Sequence, residues 1–264
     1  MTTDKLQGKI AIVTGGGRGI GAGIALELAT QGATLALMGR NDKPLEQAAE
    51  SIRRSCEGSV SVHPGDVTDE RNVESVLDSV LQKYGRVDVL VNNAGIVDQA
   101  EFLEIGMAGW NSVIATNLTG VFLMTQRVAR RMRSTGGGSI VNIASIDAYG
   151  TDGPQASYTV AKAGVIGLTK TAATELAAIK VRVNSVSPGW VHTQMVEEFV
   201  SAEAMKYLLG NFARVPMQRL VEIKEVARAV AFLAGPDSSG ITGIDVPVDC
   251  GTLANLFVFE TLPR

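Results

Sequence analysis

Along this chain, short runs of β-branched and other apolar residues alternate with longer stretches whose apolar positions recur at helical spacing. The runs Lys9–Thr14, Thr34–Gly39, Ser59–His63, Val87–Val91, Ile140–Ala144, Val181–Val186 and Ile244–Val248 read as strands. Between them the pattern predicts helices from the glycine-rich stretch to about Thr30, over Lys43–Ser55, and after Asp69. Further helices are predicted from about Met107, through Tyr158 and Lys162 to about Ala178, and over Glu222–Ala234. Strand and helix alternate with no internal repeat and no low-complexity linker. That order predicts a single α/β domain over 1–264, a doubly wound parallel sheet with helices on both faces. In such sheets ligands bind outside the carboxyl ends of the strands, where most of the chemistry-bearing residues fall.

Three features fit that rhythm less simply. The segment from about 193 to 215 is apolar and methionine-bearing, and reads as one or two short helices able to close over a ligand as a lid. The tail, 251–264, contains Leu256-Phe257-Val258-Phe259, which is expected to pack on the domain or on a neighbouring subunit rather than stay in water. His63, beside Pro64 and without metal-ligand company, reads as a turn residue.

The first strand runs into Gly15-Gly16-Gly17-Arg18-Gly19-Ile20-Gly21. Glycines permit a tight turn and close backbone approach, and the helix that follows offers free N–H groups and a positive dipole end to a pyrophosphate. Gly15, Gly17, Arg18, Gly19, Ile20 and Gly21 are therefore candidate dinucleotide contacts. After the second strand an acidic residue would bind an adenosine ribose 2′-hydroxyl. This chain instead has Gly39 and then Arg40, with Arg18 in the glycine loop. Two guanidiniums suit a 2′-phosphate, which predicts NADP(H) over NAD(H). Asp66, at the end of the third strand, could accept from an adenine amino group, while Asp69 or Thr68 caps the next helix. Small residues in Asn92-Asn93-Ala94-Gly95 allow a ligand or loop to approach the backbone.

A length of 264 residues with 45% hydrophobic and 19% charged content suits a soluble domain with a sizeable core. The net charge of −3 argues against nucleic acid or an anionic membrane as partner. The one basic cluster, Arg127–Arg133, falls near a predicted helix C-terminus, where it complements the dipole. Two cysteines, a polar N-terminus without a secretory leader and no apolar run of spanning length point to the cytoplasm. No metal site is expected.

Tyr158 and Lys162 stand four apart and share one helix face. A nearby ammonium favours the phenolate and is expected to lower the phenol from its ordinary value of about 10. Ser145, at the end of the fifth strand, could meet the phenol across a substrate oxygen. Together they make a proton donor and acceptor for a carbonyl/alcohol pair. Asn117, a poor helix former within an apolar helix, reads as a buried amide bonded to backbone.

The combination of Thr14-Gly15-x-x-x-Gly19-x-Gly21, Asn92-Asn93-Ala94-Gly95, Asn117, Ser145, Tyr158-x-x-x-Lys162 and Pro188-Gly189 resembles the short-chain dehydrogenase/reductase family, from Lys5 to about Gly251. The resemblance implies a Rossmann-type sheet of about seven strands and a nicotinamide cofactor. It implies Tyr158 as general acid in reduction and general base in oxidation. Lys162 would bind the nicotinamide ribose and lower the pKa of Tyr158, Ser145 would hold the substrate oxygen, and Asn117 would anchor a water relaying protons to Lys162. Thr193 and the backbone of Val191 would hold the carboxamide, with Asp66 and Val67 at the adenine and Asn93 at its ribose. It also implies a homo-oligomer, tetramer or dimer, joined partly through the helices bearing Asn117 and Tyr158. Cys250 departs from the family pattern, in which a second glycine often follows Val-Asp-Gly.

The expected activity is hydride transfer between NADP(H) and a small ketone, aldehyde or 3-oxoacyl group, or the reverse oxidation. The alternatives are an NAD(H)-dependent polyol or sugar dehydrogenase and a non-catalytic dinucleotide-sensing protein; the intact Ser145/Tyr158/Lys162 set speaks against the last. Asp147, Tyr149, Gln155, Trp190, Met195 and Phe199 are candidate substrate-wall residues, mixing acidic, amide and aromatic groups without a basic cluster for a phosphorylated or carrier-bound substrate. His192 is left open between a cofactor contact and solvent.

Overall fold

The computed structural model describes residues 4–56, 58–193, 196–197, 200–210 and 212–255. Seven strands form one parallel sheet in the order β3-β2-β1-β4-β5-β6-β7. They are β1 (Ile10–Thr14), β2 (Thr34–Gly39), β3 (Val60–Pro64), β4 (Val89–Asn92), β5 (Gly138–Ile143), β6 (Val181–Pro188) and β7 (Asp245–Val248). Among the described residues the α-helices include α1 (Gly19–Thr30), α2 (Asp42–Ser55), α3 (Glu70–Tyr84), α4 (Met107–Ile114), α5 (Gly120–Ser134), α6 (Ala156–Leu176), α7 (Ala202–Gly210) and α8 (Ile223–Ala234). The doubly wound sheet expected from the alternation is thus the architecture observed.

Each strand sends consecutive side chains to opposite faces, and both faces are covered. Val13, Val91 and Val141 join Ile24 and Leu28 of α1 and Val230 of α8 on one side. Ile12, Leu90 and Ile140 join Leu77 of α3 and Met124 and Val128 of α5 on the other. Burial on both sides explains why inner strands such as β1 and β4 read as nearly unbroken apolar runs. β1 pairs with both β2 and β4, so the winding direction reverses between β1 and β4. A crevice opens at such a switch point because the connections on either side run to opposite faces.

Three expectations are corrected. His63 is not in a turn: it is a buried member of the edge strand β3, 2.8 Å from the Ser61 hydroxyl. The following Pro64 can close that strand because an edge leaves one set of backbone groups unpaired. Burial, and then the charge of Lys83, lowers the His63 pKa. The helix from Met107 is interrupted by a π-helical turn, Ala115–Thr119, which holds Asn117. The basic cluster does more than complement a dipole: Arg127 pairs with Glu70 and Glu74, and Arg131 with Glu74 and Asp78, tying α5 to α3. Asp69, rather than Thr68, caps α3, accepting from the N–H groups of Arg71 and Asn72. No described helix is long and apolar enough to cross a membrane.

Candidate active site

The loop leaving β1 is folded against the loop leaving β4. The Thr14 hydroxyl accepts from the N–H groups of Asn93 and Ala94, both at 3.0 Å, and the Asn93 amide donates to the carbonyls of Thr14 at 3.0 Å and Gly15 at 3.2 Å. α1 then enters so closely that a Cβ at Gly21 would lie 2.2 Å from the Gly15 oxygen. Gly15 itself sits at φ +64, in the left-handed region. The Arg18 side chain makes no capping bond at the start of α1, which leaves first-turn N–H groups facing the crevice. A groove without Cβ atoms, ended by uncapped helix N–H groups, fits a dinucleotide pyrophosphate.

A cleft of about 450 Å³ runs from this groove along the carboxyl ends of the strands. Every residue expected to hold the cofactor lines it: Gly15, Gly17, Arg18, Gly19, Ile20, Gly21, Arg40, Asp66, Val67, Asn93, Tyr158, Lys162, Val191 and Thr193. At the β2 end, Gly39, Asn41 and the exposed Arg40 lie beside Arg18, with no acidic side chain in the lining there. Among the described residues neither guanidinium has a hydrogen-bond or ion-pair partner, so both are free to receive an anion. Asp66 is partly committed elsewhere, since its Oδ1 accepts from the Thr68 N–H at 2.9 Å and hydroxyl at 2.8 Å.

At the other end Ser145, Tyr158 and Lys162 converge in the cleft wall beside Ala144, Gly189 and Val196. Lys162 is buried and donates to the Ile143 carbonyl at 2.6 Å, and its Nζ lies 5.5 Å from the centre of the Tyr158 ring. Burial lowers the Lys162 pKa to about 8, against an opposing effect from the Asp147 carboxylate. The expected lowering of Tyr158 is not found. Burial and then the Asp147 charge raise its phenol above the ordinary value, opposed only by a hydrogen bond with Ser145. The ammonium loses this contest because it sits over the ring and is itself disfavoured by desolvation.

Asn117 is buried, as a satisfied amide should be: its Nδ2 donates to the Ile96 carbonyl at 2.8 Å and its Oδ1 accepts from the Ile96 N–H at 2.9 Å. The amide therefore fixes the loop after β4 against the π turn. Thr116, in the same turn, reaches the cleft.

The expected substrate wall is largely corrected. Tyr149 is exposed and donates to Asp245 at 2.8 Å; desolvation and that carboxylate raise its pKa to about 12. Trp190 turns into the core edge-on to Phe212, 6.4 Å between centroids. Gln155 is buried and donates to Asp152 at 2.9 Å. None of these three lines the cleft, because each found a packing or hydrogen-bond partner outside it. Asp147 lies behind Ser145 and is bonded to it. Met195 and Phe199 lie outside the described residues, as does the 256–264 part of the tail. His192 is exposed and 2.9 Å from Glu197. Cys250 is buried, with φ 54. The sequence reading did not single out Ile96, Thr116 or Gly65 as cleft residues, and no motif marks them. The hydroxyl of Thr14 is also invisible as a clamp until β4 is beside β1.

A parallel sheet with a glycine-floored cleft at its switch point, closed at one end by serine, tyrosine and lysine, belongs to the class of Rossmann-type oxidoreductases. A family model described as enoyl-(acyl carrier protein) reductase matches residues 15–252. The chain is 40% identical to the 3-oxoacyl-(acyl-carrier-protein) reductase FabG of Thermotoga maritima, over 94% of this chain and 98% of that one. It is 37% identical to the D-threitol dehydrogenase of Mycolicibacterium smegmatis, over 94% of each. A crystal structure of a short-chain type dehydrogenase/reductase from Mycobacterium marinum superposes with a TM-score of 0.89 at 35% identity, covering 96% of this chain and 98% of that one. The chain belongs to the short-chain dehydrogenase/reductase family and is an oxidoreductase acting on alcohol or carbonyl groups.

Proposed function

We propose that the protein transfers hydride between NADP(H) and a ketone, aldehyde or 3-oxoacyl group, with Tyr158 carrying the proton. The observation that carries this reading is one continuous cleft with two unpaired guanidiniums at its adenine-side end and Ser145, Tyr158 and Lys162 at the other. A nicotinamide held in this cleft would supply the hydride-transfer chemistry. The chain supplies the proton: the raised phenol is protonated at neutral pH and positioned to protonate a carbonyl oxygen as it gains charge. Lys162, close to its midpoint, can return a proton to that end of the cleft. In the reverse direction Tyr158 must first be ionised, so alcohol oxidation should rise toward alkaline pH.

Arg18 and Arg40 support NADP(H) over NAD(H) through charge-assisted bonds to a 2′-phosphate. Thr193 and Val196 line the cleft, which supports a covering role for the 193–215 segment. Phe122 on α5 and Val160 on α6 each stay 47% exposed, which supports assembly into a homo-oligomer through those helices. Two free cysteines fit a cytoplasmic protein.

The test is turnover of ethyl acetoacetate, benzaldehyde and cyclohexanone with NADPH or NADH, followed by nicotinamide absorbance. Tyr158→Phe should lose turnover by at least about a hundredfold, the lower range for a positioned general acid, while still quenching or enhancing NADPH fluorescence on binding as the parent does. A variant as active as the parent would refute the assignment.

A further inference from the structure

The Ser145 hydroxyl has one donor and two acceptor sites to distribute. In the structure the Ser145 Oγ lies 2.9 Å from Asp147 Oδ2 and accepts the Asp147 N–H at 3.1 Å. With Asp147 ionised, the serine's only hydrogen is directed at the carboxylate. One acceptor site is occupied by the Asp147 N–H, and what remains is a lone pair that faces the Tyr158 phenol and the cleft. That lone pair can receive a hydrogen bond from a substrate alcohol but can give none to a substrate carbonyl. With Asp147 protonated, its hydrogen is shared between Ser145 Oγ and the Asp152 carboxylate that is also bonded to it, the charge that held the serine hydrogen is gone, and that hydrogen turns to the cleft. No atom moves other than hydrogens.

We propose that Asp147 is a positioning residue that sets which way the Ser145 hydroxyl points, and so whether the cleft favours a bound alcohol or a bound carbonyl. This rests on the reading of Ser145 and Tyr158 as the substrate-oxygen site. Asp147 is 8% exposed, in the turn between β5 and α6. The titratable groups facing it are Asp152 from the same loop and Tyr158 and Lys162 from α6. Of the strands against this turn, β6 carries only Arg182, which is paired with Ser139 in the sheet, near the opposite end, and β7 carries Asp245, which is bonded to Tyr149 at the end of the turn. Burial, and then the Asp152 carboxylate, raise Asp147 to about 7, so both protonation states are populated near neutrality. The carbonyl-favouring state is held below that value and lost above it.

Two substitutions and one spectrum test the proposal. The parent should reduce the best carbonyl of the panel with a kcat/KM about tenfold higher at pH 6 than at pH 8, the ratio expected for one group titrating near 7. Asp147→Asn removes the titrating group, so it should match the parent at pH 6 and exceed it at pH 8. A merely structural loss would depress both. Asp152→Asn leaves the Ser145 contact in place and removes the charge that raises Asp147, so the fall with pH should move to lower pH; a fall caused by Lys162 would stay where it was. In cofactor-free protein labelled with carboxyl-¹³C aspartate, a resonance titrating near 7 should be absent from Asp147→Asn. The proposal is overturned if both variants keep the parent's pH 6 to pH 8 ratio, or if the Asp147 resonance titrates in the ordinary carboxylate range. If the parent reduces none of the panel, the functional reading fails on its own, and the resonance still decides whether Asp147 titrates against Ser145.

Discussion

At the scale of single residues, the site is governed by competition between burial and charge. Spacing puts Lys162 beside Tyr158, and a cation beside a phenol lowers its pKa if both stay solvated. Here both are desolvated and the nearest anion, Asp147, raises the phenol, so the resting tyrosine is an acid rather than a phenolate. The arginines at the far end differ, because they are exposed and, among the described residues, unpaired. Arg40→Ala should raise the KM for NADPH roughly tenfold to a hundredfold, the loss expected for a hydrogen bond to a charged group, with little change for NADH. Steady-state kinetics with each coenzyme decide it; equal effects on both would remove the 2′-phosphate from the account.

At the scale of elements, the cleft depends on how closely α1 approaches β1 and the loop after β4. Gly21 has no room for a side chain, since its Cβ would meet both the Gly15 oxygen and, at 2.4 Å, the Asn93 amide nitrogen. Gly21→Ala must push the start of α1 outward and carry its N–H groups with it. Overpacking of this kind costs about 1–3 kcal/mol. The expected result is a lower Tm together with loss of the further rise that NADPH gives the parent, both read by thermal melting. A variant that melts lower yet keeps the full NADPH shift would show that the helix end does not hold the coenzyme. On the other side of α1, Gly23 similarly admits Ile223 of α8, whose side chain would lie 2.1 Å from an added Cβ. The helix is thus held between two close approaches that propensity alone would not favour.

At the scale of the whole molecule, stability and chemistry sit at opposite ends of the sheet. Asp88, just before β4, is 4% exposed and accepts the Ile10 N–H at 3.0 Å, while Arg86 binds it through two nitrogens and Lys9 lies 3.5 Å away. Arg86 also reaches the Thr135 carbonyl at 3.4 Å, so this carboxylate joins β1, β4 and the end of α5. Asp88→Ala should destabilise the fold by about 3 kcal/mol, the lower end for breaking a buried pair, because Arg86 and Lys9 remain partly solvated. Urea denaturation measures this. The KM for NADPH of the folded variant should not change, because the cleft is at the other ends of the strands.

What the sequence determined by itself was whatever depends on local order. Apolar and β-branched runs identified the strands of the sheet, the inner ones buried on both faces, and the strand–glycine–helix succession located the groove. Four-residue spacing put Tyr158 and Lys162 on one face of α6. What only the tertiary structure decided was whatever depends on a partner distant in the chain. Tyr149 bonds Asp245, Trp190 meets Phe212, and Asn117 meets Ile96, so two candidate wall residues left the cleft and one amide was taken up by backbone. The direction of the Tyr158 shift belongs to the same group, because desolvation is a property of the folded surroundings and has no signature in spacing.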